Sequence, residues 1–409
     1  MKKIGVALIG TGFISRFLSQ GLSNTRAAEI TAVQNPNEES AKRLASYIEA
    51  LGMRKPKVYT DLREMLNDPA VNAPWITNPN NYRIRTAEAI VEEARQGRGN
   101  LTSVACEKPL ARTADEAQRM VELVRRSGMI HGYLENQVYS PSVARGREIA
   151  WTYGAKATGR PYLARTAEEH GGPHNSWFWD PTVSGGGALL DMACHSIEAA
   201  RSLLTDPGKP KSSLIPYTVT GDIRSLKWAK EPHISQLRDR YGVDYSKTPA
   251  EDYASVTIGY EDDEGNTPLS EAKTSWCYSG PGLRLSIELL GPEYSVASNS
   301  LQQELSVFLS RNVSSRQTED FVEKQAAEQG LMPIVPDEAH AYGYAAECRH
   351  MTESFAAGRK PTEDWEDGLL VTQLMMHAYK SAEEGRTLRF DPESVRGFTP
   401  KVAKGTWRP

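Results

Sequence analysis

Along the first third of the chain, short apolar runs alternate with segments whose apolar residues recur at helical spacing. Residues 3–9 form an apolar run of strand length, and Ile14, Phe17, Leu18, Gly21 and Leu22 follow at the spacing of one helix face. Residues 30–34 then read as a strand and 38–51 as a helix. Val58 and Tyr59 mark a short strand before a helix over 61–67, and 75–77 closes another strand. Ala87, Ile90, Val91 and Ala94 mark a helix face, residues 103–106 a strand, and Ala117, Met120, Val121 and Val124 a further helix. A strand over 130–135 ends the series. Repeated βα units of this length predict a parallel sheet with helices on both faces, a Rossmann-type α/β domain over residues 1–135.

Beyond 135 the rhythm stops. Residues 160–167 read as a strand, and 253–260, 274–278, 284–290 and 304–309 alternate with a period near two. Leu189, Ala193, Ile197, Ala200 and Leu204 give 188–204 a helical pattern, and helical segments over 338–357 and 366–384 close the chain. This predicts an α+β domain over 136–409 whose large, mostly antiparallel sheet has one face covered by helices. Residues 206–212 read as a loop and the polar stretch 311–329 as an excursion without a period of its own.

A chain of 409 residues agrees with two domains. Hydrophobic residues at 39% and charged residues at 24% fit a soluble globular protein. Lys and Arg number 48 against 52 acids, so no basic field is available for nucleic acid or an anionic membrane surface. Cys106, Cys194, Cys277 and Cys348 form no C-x-x-C pair, which argues against a structural zinc site or a disulfide framework and for a reducing compartment. The opening M-K-K-I-G-V-A-L-I-G imitates a signal peptide, but its apolar run is broken by Gly10 and Gly12 and meets Arg16. A cytoplasmic protein without a membrane span is expected.

Between the first strand and the first helix stands G-T-G-F-I-S, Gly10 to Ser15. Gly10 permits a tight turn, Gly12 lets backbone approach a pyrophosphate, and Phe13 and Ile14 open the helix whose N-terminus would hold it. Ser15 replaces the third glycine of G-x-G-x-x-G, so an ordinary βα turn is the competing reading. N-P-N-N, with Asn78 and Asn80, and C-E-K-P-L, with Glu107 and Lys108, follow the fourth and fifth strands, where ligands gather. Lys108 would lie near the nicotinamide end; otherwise it is a solvated loop lysine. The second strand ends V-Q-N-P-N, without the acid that grips a ribose 2′-hydroxyl. Asn35 can hydrogen-bond that hydroxyl, and Arg43, the nearest base for a 2′-phosphate, lies well into the next helix. NAD is therefore expected, with NADP left open.

G-G-G-A-L-L-D-M-A-C-H places Asp191 and His195 four residues apart, on one face of a helix. Imidazole suits proton transfer near neutrality, a carboxylate would fix its tautomer, and the glycines would open the helix N-terminus to a ligand. The alternative is an i,i+4 pair packed at a domain junction. In E-E-H-G-G-P-H-N-S-W-F-W-D, Trp177, Phe178 and Trp179 could stack on a sugar ring, while Arg165, His170 and His174 offer polar or anionic contacts. The competing readings are a hydrophobic latch and a metal set of His170, His174 and Asp180. A lone H-x-x-x-H without helical pattern is a poor metal signal, so no metal is expected. Tyr139, in E-N-Q-V-Y-S-P, either lines the site or belongs to the core.

Taken in order, I-G-T-G-F-I, E-K-P-L, G-G-G-A-L-L-D-M-A-C-H and D-G-L-L-V-T-Q-L-M-M-H-A-Y-K-S-A-E-E-G make the chain resemble the Gfo/Idh/MocA oxidoreductases over nearly its whole length. The resemblance implies a Rossmann domain, an open-faced C-terminal sheet through which homodimers or homotetramers form, and a cis peptide before Pro109. It also implies hydride transfer between a nicotinamide cofactor and a CH–OH group of a sugar, sugar derivative or cyclitol. By it, Lys108, Asp191 and His195 stand at the reacting carbon: His195 takes the hydroxyl proton, Asp191 orients it, and Lys108 stabilises charge on the oxygen. The sequence departs from the family at Ser15, at Ala193 (often Gly) and at N-P-N-N-Y-R-I-R, where Arg83 and Arg85 stand in a stretch that often carries His. Two other activities fit the scaffold: an NAD-dependent, redox-neutral glycosidase, for which the His170–His174 loop argues, and a non-catalytic sugar sensor.

Overall fold

The structure, a computed structural model, describes residues 3–302, 306–309, 330–333, 335 and 337–409; the predicted excursion over 311–329 lies outside them. The chain divides into two compact units, Met1–Ser140 with Tyr342–Thr372, and Pro141–Ala341 with Gln373–Pro409.

In the first unit, strands β1 (Ile4–Ile9), β2 (Ala28–Gln34), β3 (Lys57–Tyr59), β4 (Ala73–Ile76), β5 (Ser103–Glu107) and β6 (Ile130–Leu134) form one sheet of order β3-β2-β1-β4-β5-β6. All neighbours are parallel. Helices α1 (Phe13–Ser23), α2 (Glu38–Ala50), α3 (Leu62–Leu66), α4 (Asn80–Arg95) and α5 (Ala114–Ser127) connect them. Register pairs Ile9 with Ile76 and Ile76 with Cys106, so the segments after β1, β4 and β5 leave the same edge side by side. The order reverses between β1 and β4, the switch point at which open α/β sheets bind ligands.

The helix starts differ in a way that bears on that edge. Asn37, Asp61 and Thr113 cap α2, α3 and α5, each of which has acids in its first turn. Helices α1 and α4 begin at Gly12 and Pro79, with no side-chain cap and no acid in the first turn. The two helices that flank the switch point thus leave their first N–H groups to something other than their own side chains.

The expected boundary at 135 falls just short of Ser140, and the C-terminal helices do not all join the second unit. Gly343, at φ 94°, splits the predicted helix over 338–357 into Glu338–Ala341 and Tyr344–Ala356. The longer piece packs on α1: the Phe17 and Tyr344 rings are 5.1 Å apart, and the Thr25 and Thr352 hydroxyls 3.1 Å. Core demand assigned it, not chain position.

The second unit carries β7 (Leu163–Glu169), β8 (Leu214–Arg224), β9 (Tyr253–Asp262), β10 (Leu269–Ser275), β11 (Arg284–Gly291) and β12 (Tyr294–Asn299). With Leu388–Arg389 they form a seven-stranded sheet of order β12-β11-β7-β10-β9-β8 and then the short strand. Only β7 and β10 run parallel, so the sheet is mostly antiparallel. The Ala188–Leu204 helix, buried along its whole length, packs on β7, β10 and β9, and the Thr166 hydroxyl donates to Ser196 O at 2.8 Å. The strand predicted at 274–278 lies earlier, at Leu269–Ser275, which leaves Trp276 just beyond its end.

Candidate active site

Gly10 has φ 109°, and a Cβ there would meet the Thr77 and Asn78 backbone at 2.9 Å, so turn and crowding both require glycine. Ser15 fits where a third glycine was expected because it is wholly buried and its hydroxyl is used. It donates to Gly10 O at 2.9 Å and lies 3.0 Å from the Thr77 hydroxyl, which itself bonds Ile9 O. A Cβ on Gly12 would meet nothing within 4 Å, which leaves open space over the uncapped start of α1. Phe13 is 39% exposed, its ring 5.0 Å from that of Phe17 and tilted to it by 53°.

Asn35 sits beside this loop. Its amide N–H donates to the Thr11 hydroxyl at 2.8 Å, and its carbonyl accepts from Asn37 N at 2.8 Å, so the side chain is held in place next to Gly12. Asn78 donates to the Thr86 hydroxyl, while its buried Oδ1 has no partner in the protein. An open glycine turn, two uncapped helices and an orphan acceptor at the switch point fit a dinucleotide. Asn80, 3% exposed, begins α4 at the same edge, whereas Arg43 is exposed on α2.

Lys108 follows β5, half-buried, with a cis bond to Pro109. Its loop is held by Arg83, a buried guanidinium that donates to Asn78 O at 3.2 Å, to Glu107 O at 2.6 Å and to Pro109 O. The departure at Arg83 is thus a clamp that joins the N-P-N-N and E-K-P segments. Burial pushes the Glu107 carboxyl up to about 7, against the pull of Lys108 and Arg83. Tyr139 is half-buried. Its ring lies 5.3 Å from that of His350, and burial, with Glu363 and Glu347 nearby, drives its hydroxyl well above the usual range.

In the second unit, the glycines before the helix make room for protein, not for a ligand. Glu251 Oε1 accepts from Gly187 N at 2.9 Å, Leu189 N at 3.0 Å and the Tyr379 hydroxyl at 2.6 Å. A Cβ on Gly187 would lie 2.1 Å from Glu251 O, and one on Gly186 2.1 Å from the Tyr379 hydroxyl. The expected open helix N-terminus is therefore closed by a buried carboxylate, which burial pushes up to about 7 against these donors.

Asp191 and His195 are 6% and 3% exposed. The Trp276 indole donates to Asp191 Oδ2 at 3.2 Å and so fixes the carboxylate from β10's end. A second carboxylate approaches from β7: Glu168 Oε2 lies 3.9 Å from His195 Nε2, both side chains being nearly buried.

The loop that follows β7 is largely architectural. His170 is fully buried, and its Nδ1 accepts from Gly172 N at 2.9 Å, so the ring carries no proton there and pins the turn. Trp179 is 1% exposed among Trp228, Tyr241, Tyr245 and Trp276, and its indole donates to Pro173 O. Asp180 accepts from Thr182 N and its hydroxyl, capping the next turn. Trp177 and Phe178 stack on each other at 3.7 Å, and both, like His174, are half-buried. Side chains alternate along β7, so Arg165 points to the face opposite Glu168 and pairs there with Glu271 and Glu288, each at 2.8 Å.

Sequence reasoning missed Arg83, Glu168, Glu251 and Trp276 as site residues. Period-two alternation through β7 could have placed Glu168 on the inner face; the other three act across sequence gaps that no local spacing encodes.

Residues 4–133 match the family model described as "Oxidoreductase family, NAD-binding Rossmann fold", and 152–296 match the GFO/IDH/MocA C-terminal domain. The 1,5-anhydro-D-fructose reductase of Ensifer adhaerens is 30% identical over 209 residues, 49% of this chain and 56% of that protein. Levoglucosan dehydrogenase of Pseudarthrobacter phenanthrenivorans is 27% identical over 222 residues, 50% and 52% of the two chains. The chain thus spans about half the length of these curated relatives. Among solved structures, GenD2 of gentamicin A biosynthesis, in complex with NAD, shares the fold with a TM-score of 0.75 at 23% identity, over 96% of this chain and 97% of that one. Two matched domains, in the order and with the motifs of the family, place the chain among the Gfo/Idh/MocA oxidoreductases.

Proposed function

We propose that the chain transfers a hydride between NAD and a CH–OH group of a sugar, sugar derivative or cyclitol. The observation that carries the reading is Asp191 with His195: the pair is buried on one helix, and the Trp276 indole holds the carboxylate by a hydrogen bond. The residues around Gly12, with Asn35 and Asn78, would hold the dinucleotide, with Asn80 and Glu107 at the same edge; when bound it supplies the hydride acceptor.

His195 moves the hydroxyl proton and Asp191 holds the ring for that task. Lys108 stabilises negative charge on the substrate oxygen, a role that the Arg83 clamp serves by fixing its loop. Trp177, half-buried and stacked on Phe178, is the loop residue offered for sugar contact. The names of the two curated relatives, which act on anhydro sugars, support a carbohydrate substrate. Asn35, without a nearby base, supports NAD over NADP. Exposed Ile215, Tyr217 and Leu269 on the second unit's sheet strands support association of copies through that sheet. Among the described residues no helix is long and apolar enough to cross a membrane. The four cysteines are thiols, not disulfide halves, which supports a cytoplasmic site of action.

The test is kinetic. His195→Asn and Lys108→Ala should each lower kcat with the active sugar by about 10²–10⁴-fold, the range of general acid–base help, while NAD still binds the His195 variant. Near-normal turnover in either variant would remove the role given to that residue.

A further inference from the structure

The Trp276 indole reaches Asp191 from just beyond β10, where strand pairing no longer sets the direction of a side chain. The fold sets it through residues 251 and 252, which lead into β9. Trp276 N donates to Asp252 O at 2.8 Å, one step past the paired residues Ser275 and Tyr253. Trp276 O accepts the Trp228 indole N–H at 2.8 Å. The main chain of Trp276 is thus held at both its N–H and its carbonyl, and its buried ring lies 5.0 Å from that of Trp179. The residue before Asp252 holds the other partner: Ala188 N, at the start of the Ala188–Leu204 helix, donates to Glu251 O at 3.0 Å.

Asp252 lends more than a carbonyl. It is fully buried, and its carboxylate accepts three backbone N–H groups of one loop. Leu226 N donates to Oδ1 at 2.6 Å, and Lys227 N and Trp228 N donate to Oδ2 at 2.9 and 2.7 Å. Three charge-assisted bonds fix the backbone of 226–228, and with it the point from which the Trp228 indole reaches Trp276. The Trp228 ring also stands edge-on to Trp179, 4.8 Å away. An amide cannot replace this carboxylate. Both oxygens are acceptors in use, so either orientation of Asp252→Asn would turn an NH₂ group toward a backbone N–H.

We propose that Asp252 and Trp228 are positioning residues: through the 226–228 loop and the Trp276 main chain, they aim the Trp276 indole at Asp191. Neither acts on substrate or cofactor. Their effect on turnover rests on the reading above that Asp191 serves proton transfer; the aiming of the indole does not.

The experiment reads the indole itself. Hydrogen exchange of the tryptophan indole N–H groups is followed by NMR in isotope-labelled protein without sugar or cofactor. The Trp276 and Trp151 signals are assigned by their loss in Trp276→Phe and Trp151→Phe. Trp151 is the internal control, because its indole donates to Leu203 O at 2.9 Å near the far end of the same helix. Asp252→Asn and Trp228→Phe should each speed exchange at Trp276 by about tenfold or more, and leave Trp151 within about twofold of the parent, since the loosening is local. Unchanged exchange at Trp276 in either folded variant would overturn the proposal, and so would equal acceleration at Trp151, which marks a general loss of structure. Trp228→Phe keeps the Asp252 carboxylate and its three bonds, so it decides the matter should Asp252→Asn fail to fold. Turnover gives a second reading. With the active sugar, kcat should fall about tenfold in Asp252→Asn with KM little changed, and hardly further when the same change is made in Trp276→Phe. Equal falls in the two backgrounds would also overturn the proposal. If Trp276→Phe leaves kcat untouched, the role of Asp191 is lost, and the exchange result alone judges the positioning.

Discussion

Two glycines in one loop do different work, and substitution separates them. Gly10 is fixed by its positive φ and by the Thr77 backbone, so Gly10→Ala should destabilise the first unit by about 1–3 kcal/mol. Gly12 faces open space, so Gly12→Val should keep its melting temperature and still lose NAD, because the side chain fills the room left for the pyrophosphate. Differential scanning calorimetry reads the first effect and binding calorimetry the second; in the parent the latter should also rank NAD above NADP. Retained NAD affinity in Gly12→Val would place the dinucleotide elsewhere. Removal of one N–H makes a third test: Trp276→Phe leaves Asp191 in place without its indole donor. A hydrogen bond to a charged group contributes roughly 1.5–3 kcal/mol, so kcat should fall about ten- to a hundredfold with KM little changed. At this scale the sequence was legible where chemistry is local. Gly10, Gly12, Asp191 and His195 can be picked out by spacing and Lys108 by its place after a strand, whereas Arg83 and Trp276 act through partners some 25 and 85 residues away.

Among the elements, the βα series was readable because each strand and helix carries its own period and its own caps. The second unit was harder. Strand β8, Leu214–Arg224, went unrecognised because Pro216 and Gly221 interrupt its pattern; both are accommodated, the first beside a register shift and the second against Ala378 O. The Ala188–Leu204 helix was legible with its bounds, but not the reason for the glycines before it, which make way for Glu251. That carboxyl gives a pH test with a definite sign. Burial raises it to about 7 in the folded protein against about 4.5 unfolded, so its favourable contribution is complete below pH 4.5 and lost as pH rises through 7. Glu251→Gln cannot ionise. Between pH 4.5 and 8 the variant should therefore gain on the parent by on the order of 3 kcal/mol in urea unfolding. A stability difference that stays flat with pH would show that Glu251 is not buried as described.

For the whole molecule, the family assignment joins an NAD-binding Rossmann unit to a sheet-and-helix unit. The redox-neutral glycosidase reading drew its argument from the His170–His174 loop, and His170 and Trp179 are committed to holding that loop. What remains is to weigh net oxidation against internal return of the hydride. Purified protein should be incubated with NAD and a panel of free sugars, cyclitols, anhydro sugars and aryl glycosides, with NADH absorbance and aglycone followed together. The account predicts one NADH per molecule of oxidised product for at least one CH–OH compound, a requirement for stoichiometric NAD, and loss of both signals in His195→Asn. Aglycone release sustained by sub-stoichiometric NAD, with no net NADH from any compound, would contradict it.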